Sequence, residues 1–331
     1  MKNWFYRAVS IFNPERFQGW GQTHSYFEGW YFKLVSADGS GAVAVIPGVA
    51  MDVNGNRHAF IQVLDGNKKS SNYHRFDFSE FNASEGKFEV CIGTNRFSDQ
   101  GIELNLSDLK GDLKFSHTVP WPKPFYSPGI MGPFSFVPFM ECYHGIVSMD
   151  HVLTGKLILA NQEIDFTNGR GYLEKDWGRS FPSAYIWMQT NHFSKSGISI
   201  KLSVAKIPWI GSSFVGFICG IWLQNRLIRF TTYNRSKLKK CFADQDLVSV
   251  ILESPDYNLE VLARRDHATE LAAPIRGFMN GRIEESMTAR IKVILTERIS
   301  GNIIFEDEGC HAGLEVAGAV SQLFIDTDTL F

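Results

Sequence analysis

Short apolar runs separated by turn residues recur along most of the chain at intervals of roughly ten residues, and this rhythm constrains the fold more than any other feature. WYFKLVS (residues 30–36) is followed by a turn at Ala37–Gly41 and then by AVAVIPGVAM, and further on KFEVCIG precedes GIELNLS. The second half repeats the pattern in GKLILANQEIDF, LVSVILESPDYNLEVLAR and ARIKVILTERISGNIIFEDEG, where Ser300-Gly301 occupies the place of a hairpin turn. In ARIKVIL, Ile291, Val293 and Leu295 alternate with Arg290 and Lys292, as one dry and one wet face require. Helix competes with strand only over Ile283–Thr288 and near Ala317–Leu323. The expectation is an all-β antiparallel chain of sandwich or barrel type.

At 331 residues the chain is long enough for about two domains. Six of its 12 prolines (Pro120, Pro122, Pro124, Pro128, Pro133, Pro138) fall close together, so strand pairing should stop there. This places one domain at 1–145, including a Pro-rich loop at 118–140, and a second at 146–331. The loop is too aromatic for a solvated linker: Trp121, Phe125, Tyr126, Phe134, Phe136 and Phe139 call for a cover, as in a lid or a plug. An aromatic content of 14% points further to a large apolar cavity.

Several classes are disfavoured. A formal charge of −2 offers no basic field for a phosphate backbone, so no nucleic-acid partner is expected. The odd set Cys91, Cys142, Cys219, Cys241 and Cys310 contains no CxxC pair, which disfavours a disulfide framework or zinc ribbon and fits a reducing, cytoplasmic setting. The opening MKNWFYRAVSIFNPERF lacks the apolar run and cleavage site of a signal peptide. The uncharged run at 207–225 is divided by Gly211-Ser212-Ser213 and reads as a buried strand pair rather than a membrane span. No GxxxxGK[ST], HExxH, GxSxG or GxGxxG occurs, and Gly169-Arg170-Gly171 reads as a turn. Cys142-Tyr143-His144 with His151, or Cys310-His311, lacks the partners of a metal site, so no metal is expected.

Two segments set polar groups among aromatics. In Phe27–Leu34, strand alternation puts Glu28, Trp30 and Phe32 on one face and Gly29, Tyr31 and Lys33 on the other. The second runs from Gly171 to Pro182 through Glu174, Lys175, Asp176, Trp177 and Arg179, and its tail would project Tyr185, Trp187, Gln189, Asn191 and Phe193 to one side.

FEGWYF, EKDWGRSFPSAYIWMQTNHF, ARRDHATELAAPIRG and GCHAGLEVAG, in this order over most of residues 27–318, resemble the tocopherol cyclases and their bacterial relatives. The plant members carry Asn in place of Asp176 and Gly in place of Arg179, departures that bear on the substrate more than on the fold. The resemblance implies two successive lipocalin-like β-barrels, related to carotenoid hydratases, and gives Trp30 a structural role closing the first barrel. It also implies a cofactor-independent cyclase that protonates the alkene of a prenylated hydroquinone and traps the cation with the phenol oxygen, forming a chromanol in an apolar barrel pocket.

Such chemistry needs a carboxyl held neutral in a dry site, for which Glu28, Glu174 and Asp176 are the candidates. Glu28 is favoured, because Lys175 and Arg179 are expected to pair with Glu174 or Asp176 in a buried ionic latch. Trp30, Tyr31, Trp177, Tyr185 and Trp187 are candidates to face the cation, and Gln189 and Asn191 to hold the hydroquinone hydroxyls. The expected ligand is an apolar prenylquinol or other isoprenoid, with peripheral membrane contact through the Pro loop. A non-catalytic lipid carrier and a terpenoid hydratase stand as the alternatives.

Overall fold

The computed structural model describes residues 10–266 and 268–326; the N-terminal stretch read for a leader thus begins outside the described residues. Among the described residues, regular structure is almost entirely antiparallel strand, and the chain divides into two compact units. One comprises Met1–Phe181 with Leu271–Arg282, the other Pro182–Glu270 with Ile283–Phe331.

The first unit contains β1 (Tyr26–Val35), β2 (Ala42–Met51), β3 (Arg57–Asp65), β4 (Ser70–Asp77), β5 (Phe81–Ala83) and β6 (Glu89–Ile92). It continues with β7 (Asn95–Ser98), β8 (Gly101–Asn105), β9 (Leu109–Ser116), β10 (Cys142–Leu159), β11 (Gln162–Asp165) and β12 (Arg170–Gly178). Their order is β4-β3-β2-β1-β12-β10-β9-β8-β7-β6-β5, with β11 on β10. The expected boundary near 145 therefore falls inside β10, which is held on both sides by β9 and β12, and the division comes at 181/182.

The sheet is open, contrary to the expected closed barrel, because β4 and β5 form its two ends. Asp77 ends β4 by capping a single 3₁₀ turn at Phe78–Glu80, accepting from the Ser79 N–H while Glu80 accepts from the Asp77 N–H. That turn removes the backbone from the ladder before β5 begins. Aromatic rings make up much of the core of this unit. Trp30 stacks on Phe88 at 5.7 Å, Phe32 lies 5.8 Å from Phe97 and 6.1 Å from Phe115, and all are buried with Leu34, Leu153 and Leu173. Offset and tilted rings at these separations are mutually stabilising.

No strand occurs between Ser116 and Cys142, where the prolines cluster; a 3₁₀ turn covers Gly132–Phe136. Trp121 of this loop is 1% exposed, whereas Phe125 and Tyr126 are 84% and 75% exposed.

The second unit contains β13 (Ala184–Thr190), β14 (Ser199–Trp209), β15 (Ser212–Leu223), β16 (Arg226–Thr231), β17 (Lys237–Ala243) and β18 (Leu247–Glu253). β19 (Tyr257–Arg264), β20 (Thr269–Ile275), β21 (Phe278–Glu297), β22 (Ile303–Gly318) and β23 (Ile325–Asp326) follow, with parts of β20 and β21 falling in the first unit. The order is β16-β15-β14-β13-β22-β21-β19-β18-β17-β23, again open, with β20 on β21. The run 207–225 is a strand pair as expected, turning at Ile210 and Gly211 with φ of 37° and 76°, the positive values that a tight hairpin uses. Among the described residues no helix is long and apolar enough to cross a membrane.

Ile291, Val293 and Leu295 are fully buried while Lys292 is 43% exposed, so the alternation in ARIKVIL holds. Where helix competed, Ile283–Thr288 lies within β21 and Ala317 within β22; only Val320–Leu323 turns, as a 3₁₀ helix. Pairing with β22 on one edge overrides the local helical pattern.

Candidate active site

β1 and β12 are adjacent central strands, so the two segments singled out in the sequence are hydrogen-bonded neighbours: Glu28 is opposite Trp177, Trp30 opposite Lys175 and Tyr31 opposite Glu174. Directly opposed residues share a face, and alternation then separates two polar groups.

The first lies on the core face. Glu28 and Lys175 are both fully buried and form an ion pair of 2.5 Å. Every lone-pair direction of the carboxylate has a donor: besides Lys175, the Tyr26 hydroxyl donates to Oε2 at 2.5 Å, and the Gln18 N–H reaches Oε1 at 2.8 Å and Oε2 at 3.0 Å. The Lys175 ammonium spends its other two protons on the carbonyls of Pro14, at 2.9 Å, and Arg16. It also sits 4.8 Å from the centroids of Trp30 and Trp177. Burial pushes the Glu28 carboxyl up and the Lys175 amine down, and each is pulled back by the other. Trp30 is locked too, its indole N–H donating to the Glu15 carbonyl at 2.8 Å. This is a saturated latch that ties residues 14–18 onto β1 and β12, with no lone pair or proton left over for a substrate.

The second group lies on the opposite face of the same strands. Tyr172, Glu174 and Asp176 alternate along β12, and Tyr31 and Lys33 flank them on β1. On β10, His144 is opposite Asp176 and Ile146 opposite Glu174. A bulge between Ile146 and Ser148 resets the register just beyond, the kind of irregularity that aims side chains at a site. His144 Nδ1 is 2.7 Å from Asp176 Oδ1, and Nε2 is 3.5 Å from Glu174 Oε2. The Tyr172 hydroxyl donates to that same Glu174 oxygen, and the Cys142 thiol to Asp176 Oδ1 at 3.9 Å. Burial, with the neighbouring carboxylates adding to it, holds both the Tyr172 phenol and the Cys142 thiol well above their ordinary pKa, so both remain neutral donors. Ligand atoms of His144, Glu174 and Asp176 come within 4.8 Å of one another; Nδ1 is hydrogen-bonded to Asp176, while Nε2 faces Glu174 at 3.5 Å with no hydrogen bond formed.

In the second unit, Tyr185, Trp187 and Gln189 share one face of β13, away from Ile186 and Met188, which pack into the core. The Tyr185 hydroxyl donates to Glu315 Oε2 at 2.6 Å. Trp187 overlies Gly313, where any Cβ would come within 2.7 Å of the ring. β13 ends at Thr190, whose Oγ1 donates to the Cys310 carbonyl and accepts the His192 N–H, and Phe193 does not continue the row, contrary to the sequence expectation. Phe193 consequently packs against the core, 5.4 Å from Phe305.

The structure thus keeps Glu174 with Asp176, sets Glu28 with Trp30 and Trp177 on the reverse face, and puts Tyr185, Trp187, Gln189 and Asn191 in the other unit. Lys175 pairs with Glu28, not with Glu174 or Asp176, because chain neighbours on a strand point oppositely. Apart from the Tyr-x-Glu-x-Asp spacing of β12, nothing local in the sequence marks Tyr172 for the site, and the partners that His144 lacks in sequence, Glu174 and Asp176, are brought to it by the fold.

An all-β chain of two open antiparallel sheets, with His144 set between the buried Glu174 and the partly exposed Asp176 on one of them, defines a class before any relative is considered. CghA has this overall fold. Its crystal structure with Sch210972 matches 88% of this chain and 88% of its own at a TM-score of 0.56, and a second CghA structure matches 89% of each at 0.55, both at 10% identity. Residues 99–318 match the tocopherol cyclase-like family, and the chain belongs to it. The rice (Oryza sativa subsp. japonica) protein described as "Probable tocopherol cyclase, chloroplastic" is 32% identical over 68 residues, 20% of this chain and 14% of its own length. Tocopherol cyclase of Zea mays is 31% identical over 68 residues, with the same shares, so the chain spans only a small part of these curated relatives.

Proposed function

We propose that the protein is an acid-catalysed cyclase that closes a prenylated hydroquinone to a chromanol, with Glu174 as the proton donor. The observation that carries this reading is the placement of Glu174: a carboxyl 4% exposed, within reach of an imidazole and a phenol, on the face that the Glu28–Lys175 latch does not occupy. Membership of the tocopherol cyclase-like family favours a prenyl-hydroquinone as the substrate class.

An alkene is a very weak base, so protonating it demands a carboxylic acid shielded from water, and the burial of Glu174 meets that condition. The tertiary cation that follows is stabilised by π faces, and Tyr31 and Tyr172 stand beside Glu174 on the same face. Trapping by the phenol oxygen completes an isomerisation that consumes nothing.

The test is turnover of a phytyl- or prenyl-hydroquinone by the purified protein. Glu174→Gln is expected to lower kcat by about 10²–10⁴-fold with quinol binding retained. Saturable binding with no chromanol from the unaltered protein would identify a carrier instead.

A further inference from the structure

Cyclisation moves two protons: one goes onto an alkene carbon, and one must leave the phenol that becomes the ring ether. Resting on the cyclase reading above, we propose that His144, oriented by Asp176, is the base that removes the phenol proton and returns it to Glu174.

The geometry has the parts in sequence. With Asp176 as acceptor, Nδ1, 2.7 Å away, carries the proton of that hydrogen bond, and the tautomer this selects presents its lone pair at Nε2, which has no hydrogen-bond partner. The Cys142 thiol donates to the same carboxylate oxygen, fixing its orientation from a second side. Nε2 is turned to Glu174 Oε2 at 3.5 Å, longer than a formed hydrogen bond and short enough for transfer after a small closure. The Tyr172 hydroxyl holds that oxygen in place. Ile146 is placed on the same face opposite Glu174 and is 4% exposed, an apolar neighbour shielded from water.

The steps balance. The Glu174 carboxyl proton forms the new C–H bond with the π electrons of the alkene, leaving a tertiary cation and a Glu174 carboxylate. A lone pair of the phenol oxygen forms the C–O bond, and the O–H electrons remain on oxygen as its proton passes to His144 Nε2. The imidazolium, stabilised by Asp176, then gives that proton to Glu174. Protein and charge return to their starting state, and the product is an isomer of the substrate. Asp176 is a positioning residue in this scheme, acting through His144.

His144→Asn separates this role from scaffolding, since the Asn amide reproduces the Nδ1–H donor to Asp176 and removes Nε2. Steady-state kinetics on a prenyl-hydroquinone should show kcat down roughly 10²-fold or more and KM changed by less than about 3-fold. His144→Ala should recover part of its kcat when imidazole is added. Asp176→Asn, which keeps an acceptor and loses the charge, should lower kcat by less than His144→Asn does, again with KM held. Wild-type kcat in His144→Asn, alongside an inactive Glu174→Gln, would overturn the assignment of His144 while leaving the cyclase reading intact. So would a stoichiometric divalent ion found by elemental analysis in the wild type and lost in His144→Asn. Absence of chromanol from the wild type would overturn both readings.

Discussion

Glu28 and Lys175 show how a conspicuous carboxylate is removed from chemistry. Both charges are out of water, and each spends all its hydrogen-bonding capacity within the protein. Breaking such a pair from one side strands the other charge, at a cost of about 3–5 kcal/mol, whereas replacing both by uncharged groups costs far less. Lys175→Met should therefore destabilise strongly in chemical denaturation, and the double variant Glu28→Gln/Lys175→Met should recover much of the loss. Equal destabilisation by the single and double variants would contradict the pairing.

His151 makes a prediction about pH at the same scale. It is fully buried behind Gly171, where a Cβ would lie 2.2 Å from Nε2, and burial pushes its pKa from 6.5 down to about 3. The unfolded chain binds a proton at this residue as pH falls through 6.5 while the folded protein does not until about 3, so stability is lost across that window. Urea denaturation between pH 7 and pH 4 should show this slope, and His151→Asn should flatten it. Gly171→Ala should destabilise by forcing the ring out.

At the scale of elements, most strands were legible because their alternation is strong: the turns at Ala37–Gly41 and Ser300-Gly301 and the hairpin through Gly211 stand where the sequence puts them. The open edges were not, since the break between β4 and β5 depends on one Asp77 cap with no apolar pattern behind it. In the site, Glu174 and Asp176 were named from the sequence, but their partner was misassigned to Lys175, one residue away and on the other face. His144 joins them only through the pairing of β10 with β12, a contact across 32 residues that no local pattern encodes.

The Pro-rich loop carries its own prediction. Phe125, Tyr126 and Phe139 are 84%, 75% and 58% exposed within an uncharged stretch, while Trp121 is a packed residue. If these rings meet a lipid surface, as an apolar substrate would favour, sedimentation with phosphatidylcholine vesicles should fall on Phe125→Ser/Tyr126→Ser. Trp121→Ser should instead lower stability. Vesicle binding unchanged in the Phe125/Tyr126 variant would remove the loop from that role.

For the whole molecule, the proposed site lies on the face of one sheet opposite that sheet's core. The central claim is that a proton from Glu174 starts an isomerisation. Its most direct test is incubation with a prenyl-hydroquinone in D₂O and mass analysis of the product. The account predicts a chromanol carrying one non-exchangeable deuterium, absent with Glu174→Gln and present with an adequately folded Glu28→Gln. A chromanol without deuterium, or undiminished labelling in Glu174→Gln, would contradict it.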